Sequence, residues 1–342
     1  MPNKLTLLEI IQAALVEPEV GVSTDFTQAT LATLPKATKA KVKKKPQGWK
    51  LAVVLPDAQI GFRRYEDGTL DPFHDVHAID IAMQILAMAE EEHGVDMVIN
   101  LGDTIDLPMF GKYAQENSFY NTINETLAAG HTFLASQRLM APNARVIFIE
   151  GNHDCRINKY MNFQAMAASR MKQVGSESPV NSLQHLLRFD ELCVEMVDGY
   201  PADKFYINDR LIARHGTKAN SNGATANRYL NANHLESVIY GHSHRQELMY
   251  KTHDTRKGMI QNVAYSPGSL CRVDGAVPSV AGGIKADERP VEQYENWQQG
   301  VGLVWYKEAG DFKGANDFTI ENIHIMDGWA VYAGNEFRST IK

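Results

Sequence analysis

The sequence predicts an α/β fold built on a largely parallel sheet, and three observations predict it. Short apolar runs at 51–55, 97–101, 146–149, 211–213 and 238–240 are bounded by Gly, Pro or Asp, as buried strands are. The first three runs alternate with stretches of helical length and periodicity, the signature of βαβ units with right-handed crossovers. Each run also ends in a small polar cluster rich in Asp, Asn and His. Side chains placed just past strand ends converge at the carboxyl edge of an open sheet, where such folds put their sites.

Taken in order, residues 1–35 read as a small N-terminal helical appendage. Leu5, Leu8, Ile11 and Leu15 recur at helical spacing, and Ser23 or Thr24 suits the cap of a second helix ending near Leu34. Residues 36–48 form a Lys-rich linker without apolar periodicity; seven lysines lie between Lys36 and Lys50. The catalytic body spans 49–342. Its first half reads as strand 50–56, helix 74–93, strand 96–101, helix 120–140 and strand 144–149. Residues 156–208 are less regular, with a helix expected over 159–173, and suit a cap or insertion over the site. Strand, helix and strand resume across 211–240, the helix at 223–233. Beyond Gly241 the chain is β-rich, with strands expected at 247–252, 259–265, 302–306 and 318–325 and a surface loop over 274–299.

A chain of 342 residues, 44% hydrophobic, buries a substantial core. Its formal charge of −7 argues against a surface coated in basic residues, although a local patch is compatible with it. The three cysteines, Cys155, Cys193 and Cys271, are too few and odd in number for a disulfide framework, which points to a reducing, cytoplasmic setting. No apolar stretch is long enough to span a bilayer, so no membrane partner is expected. The apolar start at residues 5–16 is interrupted by Glu9 and Gln12 and lacks the frame of a signal peptide.

Five islands carry the chemistry: Asp57-Ala58-Gln59, Gly102-Asp103-Thr104-Ile105-Asp106, Gly151-Asn152-His153-Asp154, Arg214-His215-Gly216 and Gly241-His242-Ser243-His244. Two divalent cations held ~3.5–4 Å apart need a bridging carboxylate and mixed oxygen and imidazole ligands, and these islands supply that set. Their order resembles the calcineurin-like metallophosphoesterase superfamily, with its D-x-H, G-D-x-x-D, G-N-H-(D/E), H and G-H-x-H pattern, over roughly residues 49–270. The resemblance implies a four-layer α/β/β/α sandwich with two central mixed sheets. It implies that Asp57 and His244 hold a first metal, Asp103 bridges, and Asn152, His215 and His242 hold a second. It further implies that His153 protonates the leaving group with Asp106 orienting it, while a metal-bound hydroxide attacks phosphorus in line.

One position departs from the pattern, for Gln59 stands where the family has His. An amide oxygen is a neutral, weaker ligand, and the resulting oxygen-rich first site favours Mn²⁺, with Mg²⁺, Fe²⁺ and Zn²⁺ as the other candidates. The segment 57–62 resembles the opening motif of SbcD-type repair nucleases, again with Gln59 for His. That resemblance and the lysine run point to a phosphodiester substrate, nucleic acid included. A phosphomonoesterase acting on protein or metabolite, and a non-catalytic scaffold keeping the fold, stand as alternatives. Arg156, Arg214 and Arg245 flank ligand positions and are candidate substrate contacts. The 216–226 stretch would place small polar residues at a helix start, where a second phosphate can bind. The remaining histidines, His74, His77, His93, His131, His185, His234, His253 and His324, are expected to be solvated or packed.

Overall fold

The computed structural model describes residues 45–112, 116–220, 223–232, 236–256, 258–280, 284, 285, 287, 289–308 and 316–341. The expected appendage 1–35 and most of the linker 36–48 lie outside the described residues. The elements are β1 (Lys50–Leu55), β2 (Phe62–Arg64), β3 (Leu70–Pro72), α1 (Val76–His93), β4 (Met97–Asn100), α2 (Ile123–Met140), β5 (Arg145–Ile149), α3 (Arg156–Gln164), α4 (Leu183–Leu186), α5 (Phe189–Leu192), β6 (Val194–Val197), β7 (Phe205–Asn208), β8 (Leu211–Arg214), α6 (Ala224–Ala232), β9 (Ser237–Tyr240), β10 (Gln246–Thr255), β11 (Gly258–Pro267), β12 (Gln299–Tyr306), β13 (Phe318–Ile325), β14 (Trp329–Tyr332) and β15 (Asn335–Arg338).

Two mixed sheets form the centre. One has six strands in the order β13-β12-β1-β4-β5-β6, the other five in the order β10-β11-β9-β8-β7. β1, β4, β5 and β6 run parallel, and β12 and β13 add antiparallel strands at one edge. In the second sheet β8, β9 and β11 are parallel, with antiparallel β7 and β10 at the edges.

The apolar runs lack alternation because both strand faces are buried. In β1, Leu51, Val53 and Leu55 pack with Ile81, Ile85 and Leu134 of α1 and α2, while Ala52 and Val54 face Leu211, Ala213, Ile239 and Tyr265 of the other sheet. Successive side chains of a strand point to opposite faces, so one run serves two core layers. The far face of the five-stranded sheet is covered by Ala226, Tyr229 and Leu230 of α6. α1 is capped by Asp75, whose carboxylate accepts from the His77 and Ala78 amides, and ends at Gly94.

Two expectations need correction. The helix foreseen over 159–173 occupies 156–164 instead. α3 buries only Ile157, and a helix without an apolar face to pack gains little beyond its own propensity. At Ala165 the backbone leaves the helical region, and turns follow in which the Ser169 hydroxyl donates to Met166 O and the Val180 amide to Met171 O. The hairpin β14–β15 was not foreseen. It turns through Ala333 and Gly334, both at positive φ, and lays Ala330, Tyr332 and Phe337 on the core beside α1.

Candidate metal centre

All five islands sit just beyond strand ends: Asp57 and Gln59 after β1, Asp103 after β4, Asn152 and His153 after β5, His215 after β8, and His242 and His244 after β9. The loops are stitched to one another. The Gln59 and Ile60 amides donate to Asp103 O and Thr104 O at 2.9 Å, Asp106 N donates to Ile60 O at 2.8 Å, and Gly241 N donates to His215 O at 2.9 Å. Asp154 clamps two islands, accepting from Ile105 N at 3.0 Å and Gly151 N at 2.8 Å. Burial, with help from the Asp103 charge, pushes the Asp154 carboxyl up to about 7.

Backbone strain concentrates here. Asp57, Gln59, Asp103, His242 and His244 all have φ between 33° and 68°. L-residues enter this region at a cost of roughly 1–2 kcal/mol each, and strain of this kind clusters at functional sites. Two glycines permit the close approach of the loops. A Cβ on Gly102, itself at φ 93°, would lie 2.6 Å from His215 Nδ1. A Cβ on Gly151 would collide with the backbone nitrogen and carboxylate of Asp103.

The donor side chains converge. Asp103 Oδ2 lies 3.1 Å from His215 Nε2, which is also 3.1 Å from Asn152 Oδ1. Asp103, His215 and His242 offer ligand atoms within 4.8 Å of one another. His215 Nδ1 donates to Leu101 O at 3.0 Å, which fixes the ring and leaves Nε2 facing the cluster, able to ligate. On the other side, Asp57 Oδ1 is 3.3 Å from His244 Nε2, and both Asp57 oxygens accept from His242 N. Gln59 Nε2 lies 3.1 Å from the same His244 nitrogen, while Gln59 Oε1 is buried without a hydrogen-bond partner.

This set fits divalent cations. An unpartnered buried amide oxygen needs a donor or a cation, and the carboxylate, amide and imidazole donors beside it are typical ligands for such ions. The electrostatics agree. Burial pushes the Asp103 carboxyl up, but the His153 and His215 imidazoles outweigh it and hold it far below the usual range. Burial lowers His215, and the Asp103 carboxylate more than compensates, taking it to about 9. Burial and neighbouring His215 take His242 down to about 4. The carboxylates thus draw protons onto the neighbouring imidazoles, and ion binding here exchanges those protons for metal.

Beside the ligands stands His153. Its Nδ1 is 2.9 Å from Asp106 Oδ1, and its Nε2 is 3.7 Å from Asp103 Oδ2. Burial pushes the Asp106 carboxyl up, but the charges of His153 and Arg156 leave it lowered overall. Arg156 contacts that same carboxylate through Nη1 and lies 3.1 Å from His153 Nε2 through Nη2. The other two arginines spend donors inside the protein: Arg214 Nη2 on Pro201 O at 2.6 Å, Arg245 Nε on Asn296 O at 3.0 Å and Nη1 on Asn220 O at 2.7 Å. At the start of α6, Glu247 accepts from Ala226 N at 2.7 Å, so a carboxylate of the protein takes one of the amides an anion would use.

Sequence reasoning gave no role to several residues around the site. Trp297 packs edge-on against His244 at 4.2 Å between ring centroids, and Cys271 Sγ lies 3.7 Å from His244 Nδ1. The Tyr200 ring lies 5.8 Å from that of His215. Only Asp154 carried a signal, as the last member of Gly-Asn-His-Asp. Of the other histidines, His74 is buried against Phe62, His131 bonds to Leu187 O and His77 to Ser339, while His234 lies outside the described residues.

Two mixed sheets joined at their carboxyl edges by Asp, Asn and His loops around a cation-seeking cluster define a metal-dependent phosphoesterase. The profile of the calcineurin-like phosphoesterase family matches residues 73–246, just over half of the chain. The chain belongs to that family, whose members are metal-dependent phosphoric ester hydrolases. The match includes Asp103, Asn152, His215, His242 and His244 and begins after Asp57 and Gln59. No curated protein matches the chain. Among the described residues no helix is long and apolar enough to cross a membrane.

Proposed function

We propose that the chain hydrolyses a phosphodiester, using two divalent cations of which Mn²⁺ is the best suited. Asp57, Gln59 and His244 would hold one ion, Asn152, His215 and His242 the other, with Asp103 between them. Bound there, the cations supply the positive charge that a phosphoryl group in transit demands. His153 gives a proton to the departing alkoxide, and Asp106, 2.9 Å from its Nδ1, fixes the ring for that transfer. Arg156 braces the Asp106 carboxylate and so holds the pair in place.

The commitment of the flanking arginines supports a diester over a monoester. A monoester dianion asks for extra cationic contacts, whereas Arg156 and Arg245 place donors on protein acceptors. A singly charged diester needs fewer. Three unpaired cysteines, two of them buried, fit the reducing cytoplasm we propose as its setting. The test compares bis-p-nitrophenyl phosphate with p-nitrophenyl phosphate under Mn²⁺, Mg²⁺ and Zn²⁺. The diester should be the faster substrate and Mn²⁺ the best ion. Preference for the monoester would refute the diester reading while leaving the metal centre intact.

A further inference from the structure

α3 leaves the metal centre at His153 and leads into an unusual stretch of surface. From Cys155 to Ser176 the chain carries Arg156, Lys159, Arg170 and Lys172 and not one Asp or Glu, in a protein whose formal charge is −7. Lys159, Arg170 and Lys172 are exposed. So are large apolar side chains: Phe163 at 86%, Met166 at 77%, Met171 at 57% and Tyr160 at 41% of full exposure. Tyr160 and Phe163 are three residues apart on α3 and share a face, and the Tyr160 ring lies 5.0 Å from that of Phe110. Phe163 lies about 10 Å along the helix axis from Arg156, the residue that braces His153 and Asp106.

We infer that this arm binds single-stranded nucleic acid, with bases stacked on Phe163 and Tyr160 and phosphates drawn to Lys159, Arg170 and Lys172. The proposal names the polymer whose diester the neighbouring site would cut, and it rests on the phosphodiesterase reading for that link alone. Solvated charge explains the lysines and arginines but not aromatic rings left bare among them. A second copy of the chain, docked two-fold on this arm, would set like charges against each other. A single strand satisfies both features, since it is a polyanion with flat apolar faces, whereas a duplex hides its base faces.

The test is fluorescence anisotropy of a labelled oligothymidylate with the full chain in EDTA, where nothing is cleaved. It therefore stands whether or not the diesterase assay succeeds. Binding should weaken with salt at a log–log slope of about −2, from three exposed cations on a single strand. Phe163→Ala should weaken it about tenfold, Phe163→Trp should retain it, and the matching duplex should bind less tightly than the single strand. Arg170→Glu with Lys172→Glu should weaken it further. Melting temperatures of the variants would check that each is folded. Absence of binding would overturn the proposal. So would affinity indifferent to Phe163→Ala, which would assign the contact to charge elsewhere, as in the lysine-rich segment. A concentration-dependent dimer that Phe163→Ala dissolves, in a protein that ignores the oligonucleotide, would overturn it in favour of self-association.

Discussion

The two halves of the metal centre differ in how they are made. Around Asp103, the groups of Asn152, His215 and His242 follow the family pattern and lie inside the matched region, with His215 locked by Leu101 O. Around Asp57 stand Gln59, whose amide oxygen is buried without a partner, and His244; Asp57 and Gln59 lie before the match begins, whereas His244 lies inside it. The Asp57 half is also held by distant segments, with Cys271 and Trp297 packed against His244. The Asp103 half thus draws its groups from four loops, whereas the Asp57 half draws on two and leans on Cys271 and Trp297, so the two halves need not bind an ion alike.

The strongest way to break this picture is Asp103→Ala, which removes the group common to both halves. Losing several kcal/mol of transition-state stabilisation should lower kcat by about a thousandfold or more, read by initial rates of diester hydrolysis. His153→Ala keeps every proposed metal ligand and removes the proposed proton donor. It should slow esters with alkoxide leaving groups by about 10²–10⁴-fold and nitrophenyl esters far less, because nitrophenolate departs without a proton.

Stability probes separate the halves further. His74 pairs by an isolated β-bridge with Cys271, the residue beside His244, and burial lowers its imidazole from the ordinary 6.5 to about 4. Between those values the unfolded chain binds a proton that the folded chain refuses. Stability therefore falls as pH drops from 6.5 toward 4, by up to about 3 kcal/mol from this group. His74→Gln should flatten that part of the melting-temperature profile. Gly102→Ala, which drives a methyl into His215, should cost about 2 kcal/mol in chemical denaturation. The smallest effect sharpens the comparison most directly: Gln59→His should tighten the weaker Mn²⁺ site about tenfold in calorimetric titration. Equal affinities would show that Gln59 is not a ligand.

Much of this was legible in the sequence, for physical reasons that differ by region. The strands showed because β1, β4, β5, β8 and β9 are buried on both faces and so read as unbroken apolar runs. The place of the five islands showed because each follows such a run directly. What stayed hidden depends on tertiary packing. Helix propensity around 165–173 was overridden because, among the described residues, Phe163 and Met166 stay exposed. Cys271 and Trp297 reach His244 across folds of the chain that no local pattern encodes. The helix start at Ala224 suited an anion by sequence, and only the fold brought Glu247 to it.

The decisive property is whether these side chains hold a pair of ions. Metal stoichiometry after manganese loading and desalting, measured by atomic emission on wild type and Asp103→Ala side by side, tests that most directly. Two ions per chain in the wild type and at most one in the variant is the predicted result; no retained manganese in the wild type, or an equal content in both, would contradict it.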